Sequence, residues 1–180
     1  ISKSYGEKVL FKSISFGINK GQKIALIAKN GSGKTSILDI IVGKDKPDDG
    51  NVIFRKGIQT AYLPQEPNLD PKLTIEETIL KADNPTLRII ANYDKSLENP
   101  NDQEGYQNAF EAMDQSQAWD YEKQYKKILF KLNLNDLDAK VGSLSGGQIK
   151  RLALCNALLK EPELLILDEP PNHIDLAMIE

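Results

Sequence analysis

Three short motifs stand in a fixed order in this 180-residue chain and constrain its fold more than any other feature. A glycine-rich segment occupies residues 28–35, the pentapeptide Leu-Ser-Gly-Gly-Gln occupies residues 144–148, and an apolar run leads into Asp168 and Glu169. At average residue frequencies, a chance occurrence of the pentapeptide in a chain of this size has odds of roughly one in several thousand. Its position between two segments suited to phosphate and metal binding predicts that all three motifs handle a nucleotide.

The sequence on either side of the glycine-rich segment predicts a strand, a loop and a helix in that order. Residues 24–28 (IALIA) are continuously apolar, which is typical of a buried central strand in a parallel sheet. An apolar helical pattern runs from Lys34 to about Val42. This order is the context that a phosphate-binding loop requires. Further strands are predicted at residues 14–18, 52–54, 58–63 and 164–167.

The middle of the chain contains helical patterns around a polar stretch. Thr74 and Glu77 have the spacing of a capping box that opens a helix. Residues 83–115 are polar and include an acidic loop at residues 98–104. Apolar residues that recur on one helical face predict a helix over residues 119–132, and another helix is predicted after the pentapeptide.

Composition indicates a soluble globular protein that we expect in the cytoplasm. The net charge is −3 and 27% of the residues are charged, which argues against nucleic-acid binding through charge alone. No apolar run approaches the roughly 20 residues that cross a bilayer, and the first residues show no signal-peptide pattern. The single cysteine, Cys155, excludes an internal disulfide and is expected to be a buried thiol.

The chemistry of the glycine-rich segment suits phosphate binding. Backbone N–H groups of such a loop, and of the helix N-terminus that follows it, point at anionic oxygens. Lys34 supplies a cation for the β- and γ-phosphates, and the Thr35 hydroxyl is placed to ligate Mg²⁺. The segment begins with Ala28 where the usual pattern has glycine, so we expect its methyl group to crowd the turn.

Four other side chains complete the candidate site. Asp168 ends an apolar strand, so we expect its carboxylate to reach the Mg²⁺ shell. Glu169 comes next and is the candidate general base that polarises the attacking water. Gln65 also ends a strand and is a candidate to join the Mg²⁺ shell and sense the γ-phosphate. Tyr5, ahead of the first strand, is a candidate to stack on adenine, and an ordinary surface tyrosine is the alternative.

Together these residues resemble the ATP-binding cassette (ABC) superfamily, and the resemblance covers essentially the whole chain. It implies an α/β fold of the P-loop NTPase type, with a RecA-like core, an antiparallel β-subdomain and a helical subdomain. The helical subdomain is expected at about residues 70–160 of a single cassette that spans residues 1–180. The resemblance also implies ATP as the nucleotide and Mg²⁺ as the metal.

The resemblance assigns a role to each motif. Residues 28–35 correspond to the Walker A loop, Gln65 to the Q-loop, residues 144–148 to the signature, and Asp168 with Glu169 to the Walker B pair. The implied nucleotide-binding residues are Tyr5, Asn30, Gly31, Ser32, Gly33, Lys34, Thr35, Ser36, Ser145, Gly146, Gly147 and Gln148. The implied catalytic residues are Glu169, Lys34 and Gln65, and the implied Mg²⁺ ligands are Thr35, Gln65 and Asp168.

Within the superfamily, residues 169–175 (EPPNHID) look like the ABC-F family, whose usual form is EPTNHLD. Residues 118–122 (AWDYE) look like the first cassette of its Uup-like branch. This resemblance implies a parent protein with two cassettes in one chain, no membrane domain and an association with ribosomes. It also implies that ATP is hydrolysed between two cassettes arranged head to tail, the second being a tandem copy or the other half of a homodimer.

Two departures from the family pattern lead to further expectations. Pro171 replaces the usual Thr. The chain stops at Glu180, before the position of the family's switch histidine; His173 is not that histidine, since it belongs to the motif at residues 169–175. We therefore expect a C-terminally truncated cassette. Because a single cassette presents half of each of two sites, we also expect a weak or inactive ATPase by itself. The alternatives are the ATP-binding subunit of an ABC transporter, with a membrane permease as partner, and a nucleotide-binding module without catalysis.

Overall fold

The fold, described for residues 1–170 in a computed structural model, combines a β-hairpin, a pair of parallel strands and six α-helices. In chain order the elements are β1 (Lys3–Tyr5), β2 (Lys8–Phe11), α1 (Lys34–Ile41), β3 (Thr60–Leu63), α2 (Ile75–Leu80), α3 (Pro85–Leu97), α4 (Gln103–Gln115), α5 (Ala118–Lys131), α6 (Gly146–Leu158) and β4 (Leu164–Leu167). One turn of 3₁₀ helix, Val141–Ser143, precedes α6. Pro171, His173 and Glu180 lie outside the described residues.

Two pairs of strands position the segments that contain the candidate site residues. Strands β1 and β2 pair antiparallel, and α1 follows them along the chain. Strands β3 and β4 pair in parallel and end side by side, with Leu63 opposite Leu167. Because parallel strands present their carboxyl ends at one edge, the residues that follow them, Gln65 and Asp168, lie at the same edge.

Three strands predicted from the sequence do not form. Residues 14–18, 24–28 and 52–54 contain no strand, and Ile27 is 91% exposed. An apolar, β-branched segment becomes a strand only where a neighbouring strand satisfies its N–H and C=O groups, because β-propensity largely measures such packing. No strand within the described residues pairs with residues 24–28, so the apolar pattern alone does not produce a strand there.

The largest hydrophobic core lies among the helices α2 to α6. Its fully buried side chains are Ile79, Leu87, Ile90, Met113, Ala118, Tyr125, Leu129, Leu152 and Cys155. Cys155 is the buried thiol that the sequence predicts, and burial raises its pKa to about 12. The helices α2 to α6 with this core are called the helical unit below. Since α6 begins inside the signature and contributes Leu152 to the core, the helical unit determines the position of the signature.

The structure confirms the four predicted helices, α1, α2, α5 and α6, and two of them show how the local pattern works. Thr74 caps α2: its hydroxyl accepts a hydrogen bond from the Glu77 N–H at 3.1 Å, and the Glu77 carboxylate accepts one from the Thr74 N–H at 2.7 Å. Helix α5 covers the predicted stretch within one residue at each end and buries Tyr125 and Leu129. Both patterns are local, so the sequence alone predicts them.

The polar stretch between residues 83 and 115 contains two helices that the sequence reasoning did not identify. Asn84 caps α3 and Pro85 occupies its first turn, an arrangement that favours helix initiation. Asp102 caps α4 through its carboxylate, which accepts a hydrogen bond from the Gly105 N–H at 2.8 Å. These capping residues were the available signal, and the polar composition of the exposed faces concealed it.

Candidate nucleotide-binding site

The glycine-rich loop, residues 28–35, leads into α1 through backbone conformations that favour glycine. Gly31 has a φ of 74° and Gly33 a φ of 97°, both in the left-handed region. Gly33 is also closely packed, since a Cβ there would lie 3.1 Å from Leu10 Cβ and 3.2 Å from Phe11 Cδ1. Strand β2 carries both neighbours, so the hairpin supports the beginning of α1.

The Lys34 ammonium group is held inside the curve of its own loop. Its Nζ donates hydrogen bonds to the carbonyl oxygens of Ala28 at 2.9 Å and Lys29 at 3.2 Å, and to Asn30 Oδ1 at 3.2 Å. The crowding expected from Ala28 is not observed, because Ala28 is exposed and does not adopt a positive φ. The turn therefore accommodates a methyl group without backbone strain.

The beginning of α1 leaves polar groups available to an anion. Gly33 is the N-cap of α1 and provides no side-chain hydrogen bond to the first N–H groups of the helix. Within residues 1–170 the buried Ser32 hydroxyl oxygen has no hydrogen-bond partner, and the Thr35 side chain is exposed. Together with the Lys34 charge, these groups fit a phosphate chain and an adjoining cation.

Asp168 directly follows β4, and one of its carboxylate oxygens has no hydrogen-bond partner among residues 1–170. The residue is 3% exposed, its N–H donates to the Leu63 carbonyl oxygen at 2.9 Å, and the oxygen without a partner is the buried Oδ2. The same carboxylate contributes to the raised pKa of Tyr62. A buried carboxylate normally pairs with a donor or a cation. The unsatisfied oxygen therefore fits a metal ligand.

Tyr62 is a site residue that the sequence reasoning missed. Its hydroxyl donates to Asp39 Oδ1 at 3.4 Å, and the Lys44 ammonium lies 4.6 Å from the centre of its ring. Burial raises the pKa of Tyr62 to about 12, with smaller contributions from the charges of Asp39 and Asp168. Tyr62 thus links α1 to the ends of β3 and β4. This role depends on tertiary packing, so no local sequence pattern predicts it.

Gln65 and Glu169 meet at the edge where β3 and β4 end. Gln65 Nε2 donates a hydrogen bond to Glu169 Oε2 at 2.8 Å, and both residues are exposed. Glu169 has a φ of 49°, so the chain turns sharply directly after Asp168. The structure brings together three of the predicted residues here, and Gln65 contacts the candidate base.

The signature residues form the N-terminus of α6. Ser145 is the N-cap, and its hydroxyl accepts a hydrogen bond from the Gln148 N–H at 3.3 Å while Gln148 Oε1 accepts one from the Ser145 N–H at 2.9 Å. Gly146 and Gly147 are exposed, and their N–H groups are not used by this capping box. Among residues 1–170, no hydrogen bond or ion pair joins this N-terminus to the glycine-rich loop.

Tyr5 ends β1, a strand that the sequence did not predict. It is 53% exposed, and its hydroxyl donates to Asp45 Oδ2 at 2.6 Å. This hydrogen bond is the main reason that the pKa of Tyr5 is raised, and the Ser36 side chain acts on the same hydroxyl in the opposite direction. Tyr5 therefore stands close to the first turn of α1.

No cluster of three or more metal-binding side chains occurs in the described part of the chain. Mg²⁺ in a nucleotide site does not need one, because it binds one or two protein oxygens together with phosphate oxygens and water. Asp168 and Thr35 are such oxygen donors.

Comparison with known proteins identifies the family. The ABC transporter family model matches residues 11–172, so the chain belongs to the ABC family of ATP-binding cassettes. The chain is 37% identical to the uncharacterized ABC transporter ATP-binding protein YfmR of Bacillus subtilis, over 99% of this chain and 29% of that protein. It is 32% identical to the energy-dependent translational throttle protein EttA of Mycobacterium tuberculosis, over 100% of this chain and 33% of that protein.

These relatives confirm the ABC-F assignment, since EttA is an ABC-F protein. The narrower Uup-like assignment stays a prediction.

The chain spans about a third of the length of the curated relatives it matches. A solved ATP-binding subunit of an ABC transporter matches 98% of this chain and 67% of its own with a TM-score of 0.64 at 23% identity, which confirms the cassette fold. Among residues 1–170, none of the helices combines the length and hydrophobicity that a membrane crossing needs.

Proposed function

We propose that this chain is a cassette that binds Mg·ATP and, paired with a second cassette, hydrolyses it to ADP and phosphate. One observation carries the proposal: a glycine-rich loop leads into an α-helix without a side-chain cap, and Lys34 lies inside the loop. ABC cassettes are generally ATPases, so membership of the family makes this activity the expectation.

The glycine-rich loop and α1 would hold the triphosphate. The N–H groups of residues 30–36 would donate to phosphate oxygens, and the Lys34 ammonium would exchange its loop carbonyl partners for the β- and γ-phosphates. The unsatisfied Ser32 hydroxyl supports this role, because a phosphate oxygen is the kind of acceptor it lacks. Tyr5 would lie against the base.

Thr35, Asp168 and Gln65 would provide the protein oxygens around Mg²⁺. Bound Mg²⁺ supplies charge neutralisation for the phosphates as the γ-phosphoryl group leaves. The unsatisfied Oδ2 of Asp168 supports its part in this set. Gln65 would offer its amide oxygen to the metal, which is a different atom from the Nε2 that donates to Glu169.

Glu169 would act as the general base. Its carboxylate would accept a proton from the water that attacks the γ-phosphorus, while the bond to the ADP leaving group breaks. The hydrogen bond from Gln65 holds one carboxylate oxygen, which leaves the other free to receive that proton. The exposure of Glu169 allows water to reach it.

A second cassette would complete the site. The N–H groups of Gly146 and Gly147, with the Ser145 hydroxyl, would bind the γ-phosphate held by the opposite cassette, because a helix N-terminus attracts anions. The exposure of these residues supports a role at an interface between cassettes. A single cassette offers half of each of two sites, so we expect it to turn over slowly, with a rate that rises with its concentration.

We further propose that the parent protein works on ribosomes in the cytoplasm. The name of the EttA relative, a translational throttle protein, supports this role. The name of the YfmR relative, an ABC transporter ATP-binding protein, supports the alternative of a cassette that drives a membrane permease. A nucleotide-binding module without catalysis is the third possibility.

The Glu169→Gln variant of the parent protein tests the catalytic assignment. We expect ATP turnover to fall by about 10²–10⁴-fold while Mg·ATP binding persists, because the amide cannot accept the proton. Glu66→Gln, an exposed acid beside Gln65, is the matched control and should retain turnover. Unchanged turnover in Glu169→Gln would show that Glu169 is not the base, and binding without turnover in the wild type would favour a non-catalytic module.

The same Glu169→Gln variant, which retains ATP, tests the proposed partner. We expect it to co-sediment with ribosomes when ATP is present and to remain in the supernatant when ATP is omitted. Absence of co-sedimentation, in a preparation shown to hold ATP, would favour the permease alternative.

A further inference from the structure

Tyr5 is an exposed aromatic side chain that the structure nevertheless holds in place. The side chain is 53% exposed, which ordinarily allows several rotamers. Its hydroxyl, however, donates to Asp45 Oδ2 at 2.6 Å, and the Lys3 ammonium lies 5.1 Å from the centre of its ring. The ring is therefore held at its tip and near one face.

Asp45 is itself held firmly. The ammonium of Lys3, which is 8% exposed, donates to Asp45 Oδ1 at 3.0 Å and to the Lys46 carbonyl oxygen at 2.7 Å. The Lys46 N–H also donates to Asp45 Oδ1, at 2.7 Å. The Tyr5 hydroxyl first and Lys3 second lower the pKa of Asp45 to about 2, so the carboxylate remains ionised at neutral pH. Asp45 Oδ1 thus anchors the carboxylate, while Oδ2 accepts the hydrogen bond from the Tyr5 hydroxyl.

These contacts place the ring beside the phosphate-binding loop. Gly33 packs against β2, and Lys8 Nζ donates to the Gly31 carbonyl oxygen at 3.5 Å, so the hairpin that carries Tyr5 is attached to the loop. The Ser36 side chain, on the first turn of α1, lowers the pKa of Tyr5 against the larger opposite effect of Asp45. An aromatic ring on a hairpin attached to this loop is in a position to contact the base of a nucleotide whose phosphates the loop binds.

We propose that Asp45 is a positioning residue for the nucleotide base: with Lys3, it fixes the Tyr5 ring so that the exposed face is ready to stack on a purine. The inference rests on the proposed binding of Mg·ATP. Stacking depends on ring orientation, and a side chain ordered before binding does not lose its rotamer freedom when the ligand arrives. Releasing the ring should therefore weaken binding of the base by about 3- to 10-fold and leave the phosphate contacts intact.

The test compares two ligands that share phosphates and differ in the base. Calorimetry on the purified protein measures the Kd for Mg·ATP and for Mg·tripolyphosphate, with wild type, Asp45→Ala and Tyr5→Phe. Asp49→Ala is the matched control, because it removes the same charge from the same loop at an exposed residue whose side chain makes no hydrogen bond or ion pair with Tyr5, Asp45 or Lys3. The double variant of Asp45→Ala and Tyr5→Phe tests whether the two residues act through one contact.

We expect Asp45→Ala and Tyr5→Phe each to weaken Mg·ATP about 3- to 10-fold and to leave the Kd for tripolyphosphate unchanged. The double variant should be no weaker than either single variant, and Asp49→Ala should match the wild type. An unchanged ATP affinity, an equal loss for both ligands or additive losses would overturn the inference. If Asp45→Ala does not fold, Tyr5→Phe, which removes only one oxygen, decides the question by the same ligand comparison.

The outcome also separates this inference from the function on which it rests. If the wild type binds neither Mg·ATP nor tripolyphosphate, the proposed function fails. If the wild type binds both and the Asp45 variant does not distinguish them, only the positioning role fails.

Discussion

Asn84 offers the sharpest test of how the helical unit that carries the signature is held together. The residue is 7% exposed and uses both ends of its side chain. Its Oδ1 accepts hydrogen bonds from the N–H groups of Thr86 at 2.8 Å and Leu87 at 3.3 Å, which caps α3. Its Nδ2 donates to the Tyr121 hydroxyl at 2.8 Å and to the Leu159 carbonyl oxygen at 2.7 Å, which ties α3 to α5 and to the end of α6.

The expected loss in the free energy of unfolding of Asn84→Ala follows from these contacts. Loss of the cap costs about 1 kcal/mol. The two Nδ2 hydrogen bonds add about 1–2 kcal/mol, toward the low end because the Tyr121 hydroxyl still donates to the Leu159 carbonyl oxygen at 2.9 Å. We therefore expect a total loss of about 2–3 kcal/mol in the free energy of unfolding.

Two further variants separate the contributions at Asn84. Asp102→Ala removes an exposed cap from α4 and should cost only about 1 kcal/mol. Asn84→Ser keeps a capping oxygen and should recover about 1 kcal/mol of the loss. Urea unfolding followed through the fluorescence of Trp119, the single tryptophan, reports on the helical unit directly. A loss in Asn84→Ala no larger than that in Asp102→Ala would refute the reasoning.

Two other substitutions have expected outcomes. Gly33→Ala should lower the free energy of unfolding by about 1–3 kcal/mol, because the new Cβ would lie 3.1 Å from Leu10 Cβ at a residue with a φ of 97°. Urea unfolding measures this loss, and Gly146→Ala, whose Cβ meets nothing within 4 Å, is the control. Equal stability of the two variants would contradict the prediction. Desolvation, then Glu122 and Glu76, raise the pKa of Asp94 above its ordinary 3.8, so its ionised form disfavours the fold at neutral pH and its protonated form does not. Asp94→Asn should therefore stabilise the protein at pH 7 and not at about pH 3, and equal effects at both values in thermal unfolding would rule out this linkage.

The local parts of the fold could be predicted from the sequence. The helix after the glycine-rich loop, the Thr74 capping box and α5 follow from residues close together in the chain. The strand Leu164–Leu167 is also predicted, from its apolar run, and it forms because β3 pairs with it. Residues 24–28 have an equally apolar run and form no strand, which shows that pairing decides the outcome and not propensity.

The candidate site could be predicted as a set of residues but not as a set of contacts. The pairing of β3 with β4 brings Gln65 to Glu169, as the strand-end positions indicated. The hydrogen bonds from Tyr62 to Asp39 and from Tyr5 to Asp45 join residues 23 and 40 positions apart. No local pattern marks such partners, because they meet only when α1 packs against the strands.

Binding of Mg·ATP is the central claim, and calorimetry on the wild type and Lys34→Ala tests it most directly. We expect the wild type to bind Mg·ATP and the variant to bind it at least about 10-fold more weakly, because a charged hydrogen-bond donor to the phosphates is lost. Lys12→Ala, which removes an exposed lysine at the end of β2, should bind like the wild type. Equal affinity in Lys34→Ala and the wild type, or no binding of Mg·ATP by the wild type, would contradict the account.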